Sequence, residues 1–387
     1  MLPATPTVPA ARLLVIVALL ADATRVDGQT DTSRRADTTR ARILAPVTVT
    51  GRSDNLIRLA TTASQGHIGA TDIRKRPLMR EGELLETVPG LVVTQHSGDG
   101  KANQYFIRGF NLDHGTDFQT RVEGMPVNMP SHAHGQGYTD LNFLIPEFVD
   151  HIDYKLGVYH AAVGDFGSAG AAEFKLLRRL ERTIGVIEGG ANGWGRAMLG
   201  VSPRAGAGDL VVGGEVKMYD GPWTRPQDIQ KFSGLARYSW QRGASGLSVL
   251  ALAYRNKWNS ADQIPARAIE SGTIDRFGVI DSTDGGNTQR YSITGTWTHV
   301  GARAVHDVQV YGIYSDLDLF SNFTYALDDA TNGDQFNQHE KRTILGGAAT
   351  RRQQSHTFGF SHALTLGVQT RADPFPQLHC VARRVAR

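Results

Sequence analysis

The 387-residue chain lacks most of the features that mark enzymes and helical membrane proteins. It has one cysteine, Cys380, which excludes an internal disulfide and any metal site built on cysteine pairs. No apolar run approaches the ~20 residues that a spanning helix needs. Net charge is only +3, and no basic run is interleaved with aromatics, so nucleic acid is not an expected partner. There is no Ser-His-Asp set at a nucleophile elbow, no Walker loop and no paired-carboxylate signature. Catalysis and a bound cofactor are therefore not indicated. A membrane β-barrel survives all of these exclusions, because its strands alternate apolar and polar residues and read as average.

What is present is glycine and alternation. Glycine supplies 43 of the 387 residues, a share above the usual ~7 % and one that fits a turn-rich β protein. At the N-terminus, Leu13 to Leu20 is unbroken apolar sequence followed by Ala21-Asp22-Ala23, the pattern of a secretory signal over residues 1–23. Residues 24–45 are charged and Thr-rich and predict a flexible segment. Glu81, Glu83, Leu84, Leu85 and Val88 follow a broken helical pattern that Pro89-Gly90 stops.

From about residue 181 the texture changes. Phe232, Gly234, Ala236, Tyr238 and Trp240 alternate with Lys231, Ser233, Arg237 and Ser239, and Tyr291, Ile293, Gly295 and Trp297 alternate with Ser292, Thr294, Thr296 and Thr298. Period two assigns the two sets to opposite faces of a sheet. Short turns at 206–208, 243–245 and 301–303 alternate with long polar connections at 220–229, 259–287 and 320–338, as in outer-membrane barrels. About nine strands are expected between Thr183 and Gln369. Trp240, Trp258, Trp297, Tyr254 and Tyr314 are expected in aromatic girdles at the membrane surfaces. After Val368 the alternation stops, and residues 371–387 read as a tail unrelated to what precedes them.

The organising stretch lies earlier. It holds Ile107-Arg108-Gly109, Val122-Glu123-Gly124-Met125-Pro126, Ile152-Asp153-Tyr154-Lys155-Leu156-Gly157 and the small-residue turn from Gly164 to Gly170. In order and spacing these four pieces resemble the plug domain of TonB-dependent outer-membrane transporters, over roughly Pro46 to Leu176. Glu123 stands where that family usually has Asp, and Val158 where Pro commonly follows the glycine.

The resemblance implies an α+β plug domain (46–180) followed by antiparallel transmembrane β-barrel strands (181–370). These are about nine strands of an expected large barrel. A plug of ~130 residues is roughly 36 Å across, and plugged lumens belong to barrels of about 22 strands, so the wall is expected to be incomplete. Arg108, Gly109, Glu123, Gly124, Pro126 and Gly157 become structural plug residues, with Arg108 and Glu123 expected to pair inside the plug. Val47, Thr48, Val49 and Thr50 become either the segment that touches a TonB-type periplasmic energy-coupling protein or the first plug strand.

By the same resemblance, the loops after the Ile-Arg-Gly and Val-Glu-Gly strands face outward and touch substrate. The candidates there are Asp113, His114, Asp117, His132, His134, Gln136 and Tyr138. His132 and His134 are two apart; on a strand both imidazoles would share one side and, with His114 or Asp113, could ligate a metal. Loop hydrogen bonding is the alternative. The expected protein is a monomer in outer-membrane lipid that takes up a small molecule or metal chelate. An exported binding module without transport, or a passive porin, are the rival readings.

Overall fold

The computed structural model describes residues 59–382, apart from 96–97, 358 and 375–376. The expected signal sequence, the segment 24–45 and Val47 to Thr50 lie outside the described residues.

The first half is built from β1 (Leu59–Thr62), β2 (Gln65–Gly69), β3 (Leu91–Thr94), β4 (Gln104–Ile107), β5 (Phe110–Asn111), β6 (Phe118–Val122), β7 (Met125–Pro126), β8 (Val149–Leu156) and β9 (Gly170–Leu176). They form a six-stranded sheet in the order β1-β2-β8-β9-β6-β7 and a small sheet β3-β4-β5. Strands β6 and β9 pair in parallel. A short helix, Ala70–Arg74, and a 3-10 turn, Glu81–Thr87, complete the unit. Leu84, Leu85 and Val88 enter its core beside Ile68, Phe118, Val122, Ile152 and Phe174, as the broken helical pattern predicts.

Two of the motif turns have one physical explanation. At β4–β5 the central residues Arg108 and Gly109 have φ of 50° and 85°, and at β6–β7 Glu123 and Gly124 have φ of 49° and 77°. Two consecutive left-handed residues make a two-residue turn that follows the twist of its strands, and glycine at the second position removes the Cβ penalty.

The second half is a wall of β10 (Ile184–Gly189), β11 (Gly195–Val201), β12 (Arg204–Ala205), β13 (Gly208–Tyr219), β14 (Ile229–Arg242), β15 (Ser245–Asn259), β16 (Gly285–Val300), β17 (Ala304–Ser321), β18 (Phe336–Thr357), β19 (Phe360–Ala372) and β20 (Gln377–Ala382). Nine of these follow one another along the sheet from β10 to β19, while β12 pairs β13 and β20 pairs β18. Neighbours are antiparallel throughout. The expected strand number and the alternation of short and long connections both appear.

The wall is inverted relative to a water-soluble sheet. On β14, Lys231, Ser233 and Arg237 are buried, whereas Phe232 is 48 % exposed. On β16, Arg290, Ser292 and Thr294 are buried, whereas Tyr291 and Ile293 are exposed. The polar set faces the plug and the apolar set faces away.

Three sequence expectations change. Tyr254 and Trp258 face the plug rather than a girdle, both nearly fully buried. Trp258 lies so close to Gly100 that a Cβ there would come within 2.2 Å of the indole. Strand β15 is apolar on both faces over Val249–Tyr254, so alternation there does not reveal which face is inside. Second, Glu123 does not pair with Arg108. Its carboxylate meets Arg237 of the wall at 2.7 Å, and Arg108 is exposed at its turn. Third, the stretch after Val368 is not detached: β19 continues to Ala372, and Arg371 donates to the Asn128 carbonyl at 2.8 Å.

Candidate functional site

Plug and wall meet through buried ionic groups. Glu81 sits 2.5 Å from Lys231 and 3.6 Å from Lys217, and Lys231 continues to Glu215 at 2.9 Å. Arg196 bridges Glu215 at 2.6 Å and the plug's Glu147 at 2.7 Å. Burial acts to raise the Glu81 carboxyl, but Lys217 and Lys231 outweigh it and hold the group down at about 2. Arg237 also donates to the Leu176 carbonyl at 2.8 Å, so one guanidinium ties two plug segments to β14.

The histidine-rich loop is shaped by its ends. Met129 and Tyr138 bridge across it: the Met129 amide donates to the Tyr138 carbonyl (3.1 Å) and the Gly137 amide to the Met129 carbonyl (2.8 Å). Gly137 has φ of 72°, and a Cβ there would lie 2.6 Å from the Thr116 Cα. Glycine is what lets the loop lie against residues 113–117. Asn128 knits the two loops, donating to the Gly115 and Phe118 carbonyls while its oxygen accepts from the Thr120 amide.

The structure thus brings together Asp113, His114, His132, His134 and Tyr138. The His114 and His134 rings are 4.4 Å apart, and His132 stacks on Tyr138 at 3.8 Å. Tyr138 Oη accepts from the Ala102 amide at 3.0 Å. Burial, first of all, holds all three imidazoles below their ordinary value. At neutral pH they are uncharged, able to accept as well as donate. Gln136 is exposed at the loop tip. Asp117 lies elsewhere in role: it accepts from Ser168, and its carbonyl receives the Ala169 amide, so it anchors the 164–170 turn. Gly157 (φ 79°) donates to the Ala169 carbonyl from the other side.

The expected sidedness of His132 and His134 is not realised, because residues 131–137 form a loop rather than a strand. His132 Nδ1 accepts from the His134 amide at 3.2 Å, and its Nε2 faces Glu340 at 3.7 Å. Among the described residues, these two do not belong to a set of three His, Cys, Asp or Glu side chains at coordinating separation.

Several site residues were not singled out from sequence. On β18, Gln338, Glu340 and Arg342 face the loop. The Ala133 amide donates to Glu340 (2.8 Å), His134 Nδ1 meets Gln338 (2.8 Å), and Arg342 donates to the Ser131 carbonyl. Arg342 also pairs with Asp373 at 2.8 Å. The signal was available as a polar period-two run at 338, 340 and 342. Lys101 is buried in the plug near Asp262 and Asp284 of the long 260–284 connection. Burial lowers its ammonium to about 8, against the raising influence of those two carboxylates. No local pattern marks Lys101, because its neighbours come from a wall connection more than 150 residues away.

Comparison with known proteins agrees with this architecture. Residues 58–171 match the family model described as TonB-dependent Receptor Plug Domain. Among solved structures, the siderophore receptor PiuA from Acinetobacter baumannii is similar, with a TM-score of 0.64 and 11 % identity over 83 % of this chain and 48 % of that one. The ferric citrate transporter FecA, unliganded, gives 0.64 and 12 % over 81 % and 49 %. The copper transporter OprC gives 0.60 and 17 % over 81 % and 46 %. At these identities the likeness is one of fold, and the chain spans about half the length of the structures it resembles. Residues 58–171 are a TonB-dependent receptor plug domain, and the antiparallel strands that follow share the fold of part of the barrel in these structures.

Proposed function

We propose that this chain works in TonB-dependent uptake across a Gram-negative outer membrane. It is exported through its N-terminal signal and seated in outer-membrane lipid as a monomer. Substrate, a siderophore, metal chelate, cobalamin or similar scarce compound, meets the Asp113–Tyr138 loops. A TonB-type partner engages Val47 to Thr50 and moves the plug; an extended segment suits such a partner because strand addition relies on backbone bonds.

The observation that carries this reading is the division of the wall: an apolar face turned outward and a charged face holding the plug. Apolar wall residues such as Leu235, Leu250 and Leu252 join the plug core, and the ion pairs add discrete contacts that a pulling partner can break. The reading is tested by following uptake of iron, copper, zinc and cobalamin sources under limitation, with and without residues 46–51. Loss of one uptake on deletion, with the protein still in the outer-membrane fraction, supports it. Uptake indifferent to the deletion supports a passive pore, and a periplasmic, protease-sensitive product supports a binding module without transport.

A further inference from the structure

At another part of the plug, two histidines and two aspartates lie on neighbouring strands. β2 and β8 run antiparallel with His67 directly opposite Asp153 and Gly69 opposite His151. His151 and Asp153 are two apart on β8 and so share a face. His67 Nδ1 is 2.9 Å from Asp153 Oδ1, and His151 Nε2 is 3.5 Å from Asp153 Oδ2. The two imidazole centroids are 4.6 Å apart, and one ligand atom from each of the three residues lies within 4.8 Å of the others. A tetrahedral zinc ion with bonds of about 2.0–2.1 Å holds its ligand atoms about 3.4 Å from one another. The observed separations straddle that value.

A second observation concerns orientation. The β8–β9 register shifts between Val149 and His151, so Asp150 sits in a β-bulge. Bulges re-aim side chains, and here the Asp150 carboxylate meets Nδ1 of the adjacent His151 at 2.7 Å. That bond turns Nε2 toward Asp153. A carboxylate on one imidazole nitrogen, with the other aimed at a carboxylate-and-imidazole pair, is the support that metal-ligating histidines use. His67, Asp150 and His151 line a cleft of about 1240 Å³ lined also by Arg74, Glu147 and Arg182, and Asp153 is itself exposed, so solvent reaches the patch.

We propose that His67, His151 and Asp153 bind a divalent cation of the zinc class, with Asp150 as positioning residue. This site is separate from the His114–His134 loops and does not depend on the uptake reading. Its position gives it a consequence. β2 carries β1, the strand nearest the N-terminal segment, and the cation joins β2 to β8 by side chains in addition to their backbone ladder. Bound metal therefore holds the β1–β2 hairpin onto the plug sheet.

The test titrates Zn²⁺ alone into the full chain in detergent, with Co²⁺ absorption reporting coordination geometry. Wild type is expected to bind one ion here, with Co²⁺ showing the intense visible bands of a four-coordinate site. His67→Ala and His151→Ala each weaken binding by at least about 10-fold, and Asp150→Asn by about 10–100-fold. His134→Ala leaves this site unchanged. Amide exchange in residues 65–69 slows with Zn²⁺ in wild type and not in His151→Ala. Absence of Zn²⁺ binding by wild type overturns the proposal, as does full affinity in both His67→Ala and His151→Ala. Full affinity in a folded Asp150→Asn overturns the positioning role.

Discussion

Plug and wall use the same period-two code with opposite outcomes. In the plug, alternation buries the apolar set, as with Ile68, Ile152 and Phe174, and leaves polar residues at the rim. In the wall, alternation buries Lys231, Ser233 and Arg237 and exposes Phe232, Tyr291 and Ile293. A sheet with an apolar outer face and a charged inner face is at rest only if its outside is not water. The difference teaches that hydrophobic alternation reports sidedness, while the surroundings decide which side is the interior.

The comparison is broken most strongly where the two halves are joined. Glu123→Ala leaves the Arg237 guanidinium buried without its carboxylate, a loss expected to cost about 3–5 kcal/mol. Reduced plug resistance to protease and to denaturant reads it out; unchanged resistance would mean the pair does not hold the plug. Next comes acid. The Glu81 carboxyl in the folded protein lies at about 2, below its ordinary 4.5. Its contribution, on the order of 3 kcal/mol, is complete above pH 4.5 and is lost as pH falls through about 2. Plug protection measured across that window is expected to drop in wild type and to drop less in Glu81→Gln.

The wall's outer face gives a smaller effect. Ile293→Lys is expected to destabilise the protein by about 2 kcal/mol in bilayers, whereas Ile293→Leu changes little. Equal stability of the lysine variant in lipid and wild type would remove the lipid-facing reading. The smallest effects separate two glycines. Gly137→Ala meets the Thr116 backbone and is expected to cost about 1–3 kcal/mol. Gly109→Asn, with φ of 85° and nothing within 4 Å of its Cβ position, meets only the left-handed backbone penalty and is expected to cost about 1 kcal/mol. Thermal melts of the two variants side by side decide whether close approach or turn conformation sets the requirement.

Much of this was legible in the chain. Arg108-Gly109 and Glu123-Gly124 mark their turns because two left-handed residues in succession need a glycine. The nine strands on the continuous path from β10 to β19 follow from alternation and from short connections such as Gly243-Ala244. The candidate loops 113–117 and 131–138 do meet, though as a glycine-shaped loop packed on β18 rather than as a strand displaying two imidazoles. What escaped sequence reading were partners far apart along the chain: Glu123 with Arg237, His134 with Gln338, Lys101 near Asp284.

By itself, the sequence determined where strands begin and turn, and which side chains along each strand share a face, because backbone sterics and period two act over a few residues. Tertiary structure alone decided that the charged face of the wall is the inner one and that Tyr254 and Trp258 pack inward. It also brought His67 to His151 across a bulged strand. Those outcomes depend on how sheets stack and register, which is set by burial summed over the whole fold and not by any one segment.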